Sequence, residues 1–137
     1  MIYAVIDTNV LVSALITHHP ESATSKVVSL LMDGGFTPLY DKGIIEEYQE
    51  VLHRAKFKLL PGVADALISL IVEYGIETSG KAFLEEMPDE DDRVFYEVAL
   101  SNEDSFLVTG NLKHYPQTPQ VITPADFVKV IAEASEE

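Results

Sequence analysis

The chain has 137 residues, 47% of them hydrophobic and 23% charged, with no cysteine and a formal net charge of −14 at pH 7. That length and balance describe a globular chain able to bury roughly two-thirds of its unfolded surface, and they exclude collagen-like, disordered and disulfide-stapled classes. The missing thiols exclude cysteine nucleophiles, CxxC redox chemistry and Cys-ligated zinc or iron–sulfur centres.

Residues 2–6 form an apolar, β-branched run ending at Asp7, which predicts a strand buried on both faces. A short helix is expected over 10–16, broken by Thr17-His18-His19-Pro20, and a second over 22–32, stopped by Gly34-Gly35. Residues 36–40 read as the next strand. Asp41 is placed to cap a helix over 42–54, whose apolar face carries Ile44, Ile45, Tyr48, Val51 and Leu52. Pro61 opens a helix that runs to Tyr74 and stops at Gly75, and 76–79 reads as a short strand. The spacing then predicts a helix over 89–102 with Val94, Phe95, Val98 and Ala99 inward, and a buried strand over 105–109 ended by Gly110. A last short strand is expected at 121–122. Thr123-Pro124 supplies an N-cap and a first-turn proline for a closing helix.

Strands alternating with helices predict an α/β fold, one domain over 1–137 with a central parallel sheet flanked by helices. No apolar run reaches the about 20 residues of a membrane span, and the opening MIYAVIDTN has no basic leader. A cytoplasmic protein with no membrane partner is expected. In this architecture ligands bind beyond the carboxyl ends of the strands. Two segments lie where that rule looks: Asp7-Thr8-Asn9, and Thr109-Gly110-Asn111.

The acids divide by position. Asp7 serves either as a helix cap or as a ligand at the sheet's mouth. At about 100° per residue, Glu46 and Glu50 point away from the apolar face of their helix, whereas Glu47 lies on its rim beside Tyr48 and Val51. A carboxylate on the edge of a buried face is costly unless it is paired or metal-bound. Asp89, Glu90, Asp91 and Asp92 open the next helix. The helix dipole favours acid there, yet four in succession repel one another, and a divalent cation would offset that repulsion. Periodicity does not separate Asp91 from Asp92. His18 and His19 share no helical spacing with an acid, so zinc is not expected. His114 has either a substrate contact or no role. His53, Arg54, Lys56 and Lys58 form a basic cluster against the acidic bias, which by itself reads as an ordinary solvated helix end. An acidic surface of this size repels nucleic acid unless a metal or such a patch compensates, and it attracts basic partners. No GxSxG, P-loop or GxGxxG is present. A receiver-type signalling domain would need an acidic pair after its first strand. A haloacid-dehalogenase-type phosphotransferase would need Asp where Asn9 stands.

Across nearly its whole length the chain resembles PIN-domain ribonucleases, in particular the prokaryotic group of toxins from toxin–antitoxin pairs. Ile6-Asp7-Thr8-Asn9-Val10-Leu11-Val12-Ser13-Ala14 looks like that family's opening strand and first acid. Glu47-Tyr48-Gln49-Glu50-Val51-Leu52 is similar to its second-acid helix, and Asp89, Asp92 and Ala99 to its third. Leu107-Val108-Thr109-Gly110 resembles the strand before a fourth acid, and Thr123-Pro124-Ala125-Asp126-Phe127 the closing helix. The resemblance implies a three-layer PIN-like fold and a magnesium- or manganese-dependent endoribonuclease. It puts Asp7, Glu47 and Asp92 in the catalytic and metal-binding roles and Asn111 where many members have Asp. An amide there carries no charge, which implies lower metal affinity or a non-catalytic RNA- or protein-binding module. Thr8, Asp89 and Thr109 are expected in support, and Arg54, Lys56, Lys58 and Lys113 against RNA. A small antitoxin and homodimerisation are the partners the resemblance implies.

Overall fold

The computed structural model describes residues 1–135; Glu136 and Glu137, inside the expected domain of 1–137, lie outside the described residues. The elements in order are β1 (Tyr3–Ile6), α1 (Thr8–Ile16), α2 (Ala23–Met32), β2 (Thr37–Tyr40), α3 (Lys42–Leu52), α4 (Val63–Tyr74), β3 (Ile76–Glu77), α5 (Arg93–Leu100), β4 (Phe106–Val108), β5 (Val121–Ile122) and α6 (Pro124–Ser135). The strands form one parallel sheet in the order β3-β2-β1-β4-β5. Helix α2 packs on both α1 and α6. Helix α5 lies across β1, β2 and β4 with α3 and α4 beside it, completing a three-layer α/β fold of the PIN-like kind.

Parallel strands enclosed by helices must be apolar throughout, and β1 is: Ala4, Val5 and Ile6 are all buried. Its register sets Ala4, Val5 and Ile6 against Phe106, Leu107 and Val108 of β4. Phe127 of α6 closes one face, its ring edge-on to Phe36 at 5.0 Å and to Phe106 at 5.9 Å. Truncating such a side chain to Ala costs about 3–5 kcal/mol. The sheet order matters for function. From β1 the chain winds outward to β2 and β3, then crosses back to β4 on the other side. The carboxyl ends of β1 and β4 therefore flank the crevice where the winding reverses, and this is where ligands bind in open α/β sheets.

Several expected boundaries move, each for a local reason. Helix α3 ends at Leu52 rather than residue 54, with His53 as its C-cap, and residues Ala55–Phe57 form a separate 3₁₀ turn. Helix α4 starts at Val63, because Gly62 just before it takes φ +85°, a left-handed conformation that cannot lie inside a helix. Gly75 ends α4 as expected. A Cβ there would sit 2.4 Å from the Ile71 carbonyl and 2.6 Å from that of Pro38, so only glycine allows the chain to turn directly into β3. Strand β3 has two residues instead of four. The predicted helix over 89–102 divides into a 3₁₀ turn, Glu90–Asp92, followed by α5. The Asp89 carboxylate accepts from the Asp91 N–H at 3.0 Å, and this local bond competes with a full helical turn.

Candidate metal centre

Asp7 follows β1 directly and is buried to 4% exposure. Its backbone N–H continues the ladder to the Val108 carbonyl at 2.9 Å, so β1 and β4 jointly fix where the side chain emerges. The cap reading of Asp7 is met. Its Oδ1 accepts from the Asn9 N–H at a long 3.4 Å, capping α1. Its Oδ2 accepts from the Thr109 hydroxyl at 2.8 Å and the Tyr115 hydroxyl at 3.1 Å. Burial raises the Asp7 carboxyl above its ordinary range, outweighing the three hydrogen bonds that favour its charged form.

Glu47 is half-buried on α3, while Glu46 and Glu50 are exposed, which is the division the helix period predicts. The Thr8 hydroxyl donates to Glu47 Oε2. Burial, and then the charges of Asp7, Asp91 and Glu50, push the Glu47 carboxyl up. Beside it on α3, the buried Tyr48 donates to the Ile6 carbonyl and ties the helix to the end of β1.

The structure separates Asp91 from Asp92. Asp91 is exposed, whereas the Asp92 side chain is 14% exposed. Burial first, and then the charges of Asp7 and Asp89, push the Asp92 carboxyl up to about 6, with the His114 ring pulling the other way. His114 Nδ1 lies 3.1 Å from Asp92 Oδ2 and 3.7 Å from Asp89 Oδ2. Among the described residues, Asp89, Asp92 and His114 are the set whose ligand atoms all fall within 4.8 Å of one another. Asp7 and Glu47 stand outside that set, and Asp7 acts on it through its field. The Asp7 charge bears on Glu47 and on Asp92, and all three acids bear on Tyr115, whose hydroxyl is raised mainly by burial.

The remaining predicted residues distribute around this group. Thr109 is buried, and its hydroxyl also accepts the Asn111 N–H at 3.0 Å, while Asn111 is itself exposed. Arg54 is engaged by Glu50 at 2.7 Å, His53 by Asp65 at 2.9 Å, and Lys56 lies 5.2 Å over the Phe57 ring. Lys58 and Lys113 are exposed. Tyr115 is not identifiable from sequence, where it carries no signal beyond being an aromatic in a polar loop. His114 reads there as a substrate contact or as without a role, because no spacing ties it to an acid.

The donor set suits a hard dication. Four of its members, Asp7, Glu47, Asp89 and Asp92, are carboxylates, no thiol exists in the chain, and the acids repel one another in a partly dehydrated place. The Asn9 side-chain oxygen is also buried without a hydrogen-bond partner, two residues beyond Asp7. A Cβ at Gly110 would lie 3.9 Å from it, which places this acceptor beside the Thr109-Gly110 end of β4. With four acids and a buried acceptor at the reversal point of a five-stranded parallel sheet, comparison with known families becomes informative. A family model described as PIN domain matches residues 3–113. The chain belongs to the PIN domain family. PIN domains are generally nucleases that use divalent metals and bind nucleic acid, and the acidic cluster of this one could hold such an ion. No curated protein and no solved structure gives a significant match to the PIN domain described here. Among its described residues no helix is long and apolar enough to cross a membrane.

Proposed function

We propose that this PIN domain is a magnesium- or manganese-dependent endoribonuclease acting in the cytoplasm, the toxin of a toxin–antitoxin pair, with its 137 residues working as one domain. The observation that carries the reading is the uncompensated gathering of acids at the sheet's mouth. Asp7, Glu47 and Asp92 come from three separate parts of the chain; burial raises all of them, and the Asp7 charge raises Glu47 and Asp92 further.

Asp7, Glu47 and Asp92 would hold the cation directly or through water. When bound, such an ion supplies neutralisation of phosphate charge and a nucleophilic water at neutral pH. Thr109 and Tyr115 hold the Asp7 carboxylate in one orientation, and Thr8 does the same for Glu47. Asn111, held to Thr109 through its backbone N–H, would complete the ring of ligands or orient the attacking water. Lys58 and Lys113 attract the RNA backbone, as Arg54 and Lys56 would once released from their present partners. The net charge of −14 suits a small basic antitoxin, and the family resemblance adds a homodimer.

The test is cleavage of a mixed RNA pool by the metal-loaded protein, with and without chelator, alongside Asp7→Asn. Chelator-sensitive cleavage that Asp7→Asn reduces by at least about 100-fold, with unchanged circular dichroism, is the expected result. Binding of RNA without any cleavage would instead favour the non-catalytic module that the amide at Asn111 suggests. The paired role predicts that the product of a short adjacent reading frame co-purifies with the chain and suppresses the cleavage.

A further inference from the structure

We propose that His114 is a metal ligand, joining Asp89 and Asp92 in a mixed nitrogen–oxygen site that takes a transition-metal dication such as Mn(II) or Co(II) in preference to magnesium. This rests on the reading above that the mouth holds a cation.

The geometry is that of one ion's coordination sphere. Donors bound at about 2.0–2.2 Å to one dication lie about 3–4.4 Å from each other. His114 Nδ1 stands 3.1 Å from Asp92 Oδ2 and 3.7 Å from Asp89 Oδ2, and all three ligand atoms fall within 4.8 Å. Each donor is also held in place. The Asp89 carboxylate is anchored through Oδ1 by the Asp91 N–H, which leaves Oδ2 towards the ring. Asp92 sits at the foot of α5. His114 closes the 3₁₀ turn Leu112–His114, and that turn starts just after Asn111, whose N–H is fastened to the buried Thr109. The imidazole therefore reaches the acids on a short tether from the end of β4.

The chemistry of the donors decides the class of ion. Magnesium dehydrates reluctantly and takes oxygen ligands. Imidazole strengthens binding of first-row transition ions, along the order that runs from manganese up to copper. Asn111 brings no charge to the end of β4, and His114 brings a stronger donor three residues later. The competing account makes His114 an outer partner that only hydrogen-bonds a ligating carboxylate. The two accounts differ in whether nitrogen touches the ion.

Chelator-stripped full-length protein is loaded with Mn(II), and the electron spin-echo envelope is read for nitrogen modulation. Mn(II) and magnesium affinities are measured by calorimetry on the wild type, His114→Gln and His114→Ala, with circular dichroism as the check on folding. The expected result is nitrogen modulation in the wild type that both variants lose. Mn(II) affinity should weaken by about 10–100-fold, and magnesium affinity should change by less than about threefold. Mn(II) bound without nitrogen modulation, at an affinity the variants leave unchanged, overturns the role of His114 and leaves the cation centre standing. Failure of the wild type to bind either ion overturns the centre itself, and this proposal with it.

Discussion

Glu90 and Asp92 stand two residues apart in one 3₁₀ turn but belong to different regions of the molecule. Glu90 faces solvent. A hydrogen bond from Arg93 Nε, at 2.7 Å, and the guanidinium charge hold its carboxyl below the ordinary range. Asp92 faces the mouth, where burial and the charges of Asp7 and Asp89 push it up to about 6. The solvent side repeats its pattern elsewhere: Glu50 meets Arg54, and Asp65 meets His53. At the mouth, acids meet acids, with the His114 ring beside Asp92 and Asp89. Acid count alone does not mark a site in a chain with 23 Asp and Glu residues. What marks it is acid that the fold leaves uncompensated.

The contrast can be broken most sharply by a matched pair of substitutions. Asp92→Asn should lower metal-dependent RNA cleavage by at least about 100-fold, whereas Glu90→Gln should leave it within about twofold. Initial rates on a labelled RNA decide this, and equal losses would dissolve the distinction. Asn111→Asp adds a charge to the mouth and should tighten metal binding about tenfold, measured by calorimetry. A flat result puts Asn111 beyond reach of the ion.

The same two acids should oppose each other in pH dependence. Asp92 has its folded pKa raised from 3.8 to about 6, so its contribution is destabilising. That contribution grows as pH rises from about 4 through about 6 and is complete above it. Glu90 has its folded pKa lowered from 4.5, so the stability it contributes is present above that value and is lost as pH falls through the folded pKa. Thermal melts of chelator-stripped protein between pH ~4 and ~7 should show a decline that Asp92→Asn flattens and Glu90→Gln does not. Coincident slopes for all three proteins would remove Asp92 from the coupled group. The smallest effect belongs to the exposed pair on α3. Arg54→Ala should leave the melting midpoint within about 1 °C, since a solvated ion pair contributes little.

Much of this molecule was legible before any coordinates. The buried strands announced themselves as apolar runs, and Asp41 capped α3 through the Ile44 N–H at 2.9 Å as its position suggested. The rim position of Glu47 followed from helical period alone. The acidic turn was harder. The spacing pointed to continuous helix from Asp89, and the carboxylate of Asp89 itself tightened the first turn into 3₁₀. The basic cluster had two readings in sequence. In the fold, Arg54 and His53 are turned towards acids of their own neighbourhood.

Order and type of the elements lie in short-range pattern, because apolar periodicity, caps and glycines act over a few residues. Asp7 at the end of β1 was visible in that way. Thr109, 102 positions away, was expected in support only through the family resemblance, and Tyr115, 108 positions away, carried no signal. His114 meets Asp92 across 22 positions, from a loop with no periodicity to read. Such pairings arise only when the parallel sheet sets β1 beside β4 and the crossing chain brings its loops over one crevice. Burial and mutual repulsion then shift the acids, and these are properties of shared space that no stretch of the chain carries alone.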